Sequence, residues 1–323
     1  MYNDFFELKD EIGKLVQLGQ VYEAIALLDK EQFFNTHTGF WSLYEDCYLA
    51  LNIKSRAKFY RIKEIQNEIE LWLNQPDQSA PMLTYLGTLF YEMGCINKNI
   101  FDIQQSCNYF DQAITQDVSQ SCYYVTWGAA LFKIGMISKS VEPLIESCRI
   151  CSLAIEFDNQ LIGGYSNLGH ALGLIGTYTK DISKLEEACE KYFQALDIDS
   201  KDSTALNGWG VALQKAYEIT GDLNKLKEAC QKFEASIQAA PAYDLAYYNY
   251  AKALEIIANS SENKDERKYY FEETIDNYQK VLELDSNFKP PYNQILSIIK
   301  NEFKDKKRYN QFKQKYYNHV WGE

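Results

Sequence analysis

The side chains with the most obvious chemistry are thiols. Cys148-x-x-Cys151 has the spacing of a redox pair or half a zinc site. Cys107, Cys148, Cys189 and Cys230, however, each stand 20 residues after a glycine: Gly87, Gly128, Gly169 and Gly210. A thiol repeated in this way is a choice of small apolar side chain, so these four are expected to be buried and inert. Successive copies would stand about one repeat apart, too far to share a metal at Zn–S distances. His37, His170 and His319 lie far apart and form no paired-ligand motif. Carboxylate doublets such as Glu186–Glu187 and Glu272–Glu273 belong to a solvated helix face, and no pair is singled out as set across a cleft. There is no Gly-rich phosphate loop and no G-x-S-x-G elbow. The expectation is therefore a protein that is not an enzyme and has no cofactor or metal.

Composition agrees with a folded, non-fibrous chain. The 323 residues are 46% hydrophobic and 24% charged, which excludes disordered and collagen-like classes. Six Pro and 16 Gly are too few for a many-turned all-β chain. The 25 Tyr and 17 Phe require a largely aromatic core. A net charge of −12 speaks against wholesale nucleic-acid binding. The start, MYNDFFELKDE, has neither a basic n-region nor an apolar h-region. The longest stretch free of Asp, Glu, Lys and Arg, Asn159 to Thr179, carries five Gly, so no membrane insertion is expected. Eight Cys without a signal point to free thiols in a reducing, cytoplasmic setting, with signal-less secretion into a host cell left open.

The elements that carry these residues repeat. Gly87, Gly128, Gly169 and Gly210 are 41 residues apart, and Ala251 continues the series. A large residue precedes each: Leu86, Trp127, Leu168, Trp209 and Tyr250. Phe90, Leu131, Leu172, Leu213 and Leu254 follow three residues later, and Leu83, Tyr124, Tyr165, Leu206 and Tyr247 stand four before. Those offsets share one helix face. A second helix is phased to the first. Its small position holds Ser106, Ser147, Ala188 and Ala229; then come Phe110, Cys151, Tyr192 and Phe233; then Ala113, Ala154, Ala195 and Ser236. Alternating large and small residues suit close helix packing. Asp117, Asp158 and Asp199 recur where an Asp can cap the next helix or close a turn.

Leu206-x-x-Trp209-Gly210-x-x-Leu213, Ala229-x-x-x-Phe233 and Pro241 together resemble the tetratricopeptide repeat. The resemblance implies an all-α fold, an α-solenoid of antiparallel helix pairs stacked into a superhelix. The usual repeat has about 34 residues. Here the extra seven fall between the two helices of a pair, as longer helices or longer hairpin loops. The fifth copy is longer still around Asn259–Asp265, with Thr274 and Tyr278 in the second-helix positions. Gly94, Gly135, Gly176 and Gly221 fall near hairpins. The organisation read from these patterns is an N-terminal helical region, 1–74, a regular array, 75–288, and a basic capping helix, 289–323. Leu15–Leu28 resembles the second half of a shorter repeat, and Trp41–Trp72 reads as a helix pair.

The family holds peptides or protein segments in a concave groove. First-helix offsets of −3, +1, +4 and +5 from each glycine place there Thr84, Thr88, Tyr91, Val125, Phe132, Lys133, His170, Asn207, Gln214, Lys215, Tyr248, Lys252 and Glu255. Phe132 and Tyr248, which serve no repeat position, are candidate anchors. One subfamily clamps chaperone C-termini with Lys and Asn; the matching positions here are Thr84, Thr88, Val125 and Ala129, so that function is not carried over. The expected function is a non-catalytic scaffold, a dedicated regulator or chaperone of one protein partner such as a microbial secreted effector. An enzyme site in the N-terminal region competes with it. Lys300–Lys315 holds seven basic residues against Glu302 and Asp305, with aromatics interleaved. It reads as a cap with Lys outward, a nucleic-acid or acidic-membrane contact, or a docking patch for an acidic partner.

Overall fold

The structure, a computed structural model, describes residues 4–31, 34–51, 54–76, 78–285 and 288–321; the side chains of 54, 55 and 317–321, including His319 and Trp321, lie outside that description. The described residues form sixteen α-helices and one π turn, with no strand. No helix among them is long and apolar enough to cross a membrane. The chain divides into two compact units, 1–138 and 139–323.

Unit 1 holds α1 (Phe5–Gln17), α2 (Val21–Lys30), α3 (Phe40–Ala50), α4 (Lys54–Leu73), α5 (Ala80–Asn97), α6 (Ile100–Gln116) and α7 (Ser121–Ser138). Each helix packs on the next. Leu15–Leu28 runs from the end of α1 through most of α2, whose Ala24 and Leu28 are fully buried. It contains the turn between α1 and α2, where Gly19 sits at φ +76 with open space around it, so this glycine serves the turn and not a packing contact. Trp41–Trp72 is the α3–α4 pair as expected. A stack of Trp41, Tyr44 and Tyr48 on Tyr60, with centroids 4.4 to 6.0 Å apart, joins its two helices. Its other joint is electrostatic. Buried Glu64 on α4 accepts from the backbone N–H groups of Gly39 (2.5 Å), Trp41 (2.9 Å) and Ser42 (3.3 Å), supplying the cap that α3 lacks locally. Arg61 of α4 then grips Glu92 of α5 at 2.6 and 2.8 Å.

Unit 2 holds α8 (Glu142–Phe157), α9 (Ile162–Thr179), α10 (Ile182–Ile198), α11 (Ser203–Thr220), α12 (Leu223–Ala239), α13 (Asp244–Ser260), α14 (Lys264–Leu284), α15 (Pro290–Ile298), a π turn (Ile299–Phe303) and α16 (Lys306–Trp321). The segment expected to be one capping helix is thus two, interrupted by the π turn and by Lys304 at φ 53.

The repeat glycines act by absence. A Cβ on Gly87 would lie 2.8 Å from Phe110, on Gly169 2.8 Å from Tyr192, and on Gly210 2.5 Å from Phe233. In each case the first helix leaves room for the large residue of its own second helix. The first helices α5, α7, α9 and α11 have 18 residues each and α13 has 17, while α6, α10 and α12 have 17. The hairpins are only Lys98–Asn99, Lys180–Asp181 and Gly221–Asp222, so the extra residues of these repeats lie in the helices. Lys98, Lys139 and Lys180 take φ of 56, 55 and 57, and Gly221 takes 70 at the equivalent place. Asp117, Asp158 and Asp199 close turns by accepting from the N–H two residues on, at 2.9 to 3.1 Å.

Candidate protein-binding face

On unit 2 the first helices α9, α11 and α13 carry a polar line fixed by hydrogen bonds. Asp202 caps α11 by accepting from Thr204 N (2.9 Å) and Ala205 N (3.3 Å), and its other oxygen accepts from Ser166 Oγ (3.3 Å). The Asn249 side-chain amide donates to Asn207 Oδ1 at 2.9 Å, and Asn207 Nδ2 points to the Tyr243 hydroxyl at 3.5 Å. Asn207 and Gln214 are buried, which corrects their assignment to an open groove surface. Offsets from the repeat glycine give the direction of a side chain but not its depth, and at Asn207 the neighbouring first helix supplies the covering Asn249.

His170 is half-buried and meets the Tyr192 ring edge-on at 5.4 Å. Burial pulls its imidazole down to about 4, against the opposing pull of Asp202, so it is neutral near pH 7. On α13, Tyr248 packs on Phe288 (4.8 Å) and Tyr278 (5.8 Å) and belongs to the terminal core of unit 2. It is therefore not surplus to folding, another correction to the expectation. Lys252 Nζ stands 5.7 Å from the same ring. Half-buried Glu255 accepts from the Tyr278 hydroxyl at 3.1 Å, and burial raises its carboxyl above the usual range. Lys215 bonds both oxygens of Glu218 at 2.8 and 2.7 Å beside a hollow of about 270 Å³.

On unit 1, Thr84 and Thr88 spend their hydroxyls on the carbonyls four residues back, at 2.9 Å each; Thr88 is exposed. Tyr91 is half-buried against the Ile103–Phe110 core, and burial raises its phenol. Val125, Phe132 and Lys133 are half-buried on α7. The sequence reading missed Asn249, Tyr243 and the role of Asp202. The signal available for Asn249 was its place on the first helix, two residues before Ala251.

The four phased thiols are half-buried rather than buried, and packed on their second helices. Burial pushes Cys148 up to about 11 and Cys107, Cys189 and Cys230 up to about 12, the pattern of unreactive thiols. Among the described residues no cluster of His, Cys, Asp or Glu has the geometry of a metal site.

No family model and no curated protein matches the chain. Solved structures do match in fold. TTC0263, a thermophilic TPR protein from Thermus thermophilus, superposes with a TM-score of 0.51 at 13% identity, covering 68% of this chain and 98% of that one. Cut9, from the APC/C hetero-tetramer Cut9–Hcn1, gives 0.52 at 13% identity over 90% of this chain and 49% of its own. A monomeric IFIT1 mutant solved with Gppp-AAAA gives 0.50 at 11% identity over 95% of this chain and 67% of that one. The chain has the tetratricopeptide-type fold, an all-α solenoid of helix pairs.

Proposed function

We propose that this chain is a non-catalytic scaffold that binds another protein, as the dedicated regulator or chaperone of one partner in the cytoplasm, a microbial secreted effector being the type we favour. In this reading residues 75–288 are the binding array, 1–74 a specialised front and 289–323 the cap. The partner, a protein or peptide segment, lies on the first-helix face. The observation that carries the proposal is the way polar and aromatic groups are held on that face in unit 2. Half-buried Asn249 is tied to buried Asn207, Lys215 to Glu218, and half-buried Tyr248 is wedged against Tyr278 and Phe288. Groups already fixed lose little entropy on binding, and aromatic residues among polar selectors are what protein interfaces use.

The test begins with pull-down from the native host and identification of the partner. Lys215→Glu with Lys252→Glu is then expected to weaken the partner's affinity at least about tenfold while leaving the melting temperature nearly unchanged. Unaltered affinity in the folded variant would move the site off this face. Tyr248→Ala is unsuitable as a probe, because it would open the core.

A further inference from the structure

The C-terminal part of unit 2 has a second surface, separate from the first-helix face. The five-residue π turn ends at Lys304, whose N–H returns to the Ile299 carbonyl. Its residues wall two hollows, of about 780 and 370 Å³. Turns of this wider pitch recur at functional sites in helical proteins. The larger hollow lies between the π turn and the first turns of α14, with Phe271 and Phe303 among its lining.

The arginines here are committed to the fold. Arg267 reaches Glu302 at 2.8 and 3.0 Å and lies 5.4 Å over Phe271. Arg308 grips Glu272 at 2.7 and 2.8 Å and lies 5.2 Å over Phe303. The lysines are not. Lys264 and Lys268 border the larger hollow and Lys300, Lys304 and Lys306 the smaller. All five are exposed, and none makes an ion pair among the described residues. Residues 289–323 hold eight basic side chains against three acidic, in a chain of net charge −12.

We propose that the two hollows flanking the π turn dock an acidic peptide segment of a partner protein, its carboxylates on the five lysines and an apolar or aromatic residue in the larger hollow over Phe271 and Phe303. Charge complementarity selects the partner's sign. Glu262, Glu302 and Asp305 select a peptide over a nucleic acid. They stand among the lysines, where a continuous run of phosphates would meet them, whereas a peptide can present uncharged residues at those points.

The test uses the full chain and a fluorescein-labelled peptide of Glu and Asp residues around a central Phe–Leu pair, read by fluorescence anisotropy. The expected result is saturable binding that weakens as salt is raised. In Lys264→Glu with Lys304→Glu the affinity should fall at least about fivefold with an unchanged circular-dichroism melt, since both side chains are exposed. Four results would overturn the proposal: no binding of the acidic peptide, equal binding of its Lys-substituted counterpart, unchanged affinity in the double variant, or tighter binding of an oligo(dT) strand or of anionic phosphatidylserine vesicles.

Discussion

Tyr192 and Gly208 stand so close that a Cβ on Gly208 would lie 2.5 Å from the ring carbon Cζ of Tyr192. The same ring bears on Gly169, at 2.8 Å by the same measure. One tyrosine is thus held between its own repeat's first helix and the next one, and two glycines in neighbouring helices answer to a single side chain. Gly208→Ala should destabilise unit 2 by about 1–3 kcal/mol through overpacking. Gly173→Ala is the control. Its Cβ would meet Ala188 at an ordinary 3.7 Å, and the gain in helix propensity of about 1 kcal/mol should leave that variant as stable as the parent or more so. Urea unfolding of the two variants beside the parent checks the pair.

Glu64 replaces a local cap with a distant one. Glu64→Gln keeps the size of the side chain but offers an N–H₂ to backbone donors. The expected loss is about 2 kcal/mol, read as a lower urea midpoint. A midpoint equal to the parent's would show that α3 does not depend on the contact.

The hairpin lysines strain their own backbone. Lys180 holds φ 57, where a Cβ is disfavoured, and Gly221 occupies the corresponding position one repeat on. Lys180→Gly should stabilise the protein by up to about 1 kcal/mol, the relief of strain exceeding the added entropy of the unfolded chain. Gly221→Ala should do the reverse, purely through the backbone, because nothing stands within 4 Å of its would-be Cβ. Thermal melts of both variants test the sign.

His170 gives the protein an acid-sensitive element. Its folded-state pKa is lowered from 6.5 to about 4, so the unfolded chain takes up a proton that the folded one refuses. The stability this supplies is complete above pH 6.5 and is lost as pH falls from 6.5 towards 4. His170→Gln should therefore show a smaller drop in urea midpoint between pH 7 and pH 4.5 than the parent. Equal drops would show that the imidazole charges freely in the fold.

The thiols make a kinetic prediction. Exposed Cys122 should react first with a thiol reagent at neutral pH, and Cys107, Cys148, Cys189 and Cys230 slowly until denaturant is added. Peptide mapping after brief labelling distinguishes them.

The repeat was legible because close packing allows only one residue type at Gly87, Gly169 and Gly210, opposite Phe110, Tyr192 and Phe233. Helix length was not, because only one of the three short hairpins carries a turn glycine, Gly221: Lys98 and Lys180 adopt the left-handed conformation without the glycine that would announce it. Gly19, Gly39 and Gly221 differ from the packing glycines in kind: each has a positive φ and serves a turn or a helix end. The candidate face was half legible. Periodicity picks the side of a helix, but Asn207 meets Tyr243 from the α12–α13 loop, and Tyr248 meets Phe288 from beyond α14. Those partners lie outside any single repeat's pattern.

The length of the helices has a consequence for what the face can carry. An 18-residue helix extends about 27 Å, and a helix with its side chains is about 10–12 Å across. The first helices of unit 2 therefore offer a bench with breadth for two helical ribs of a partner laid side by side, or for one rib with a bare strip beside it.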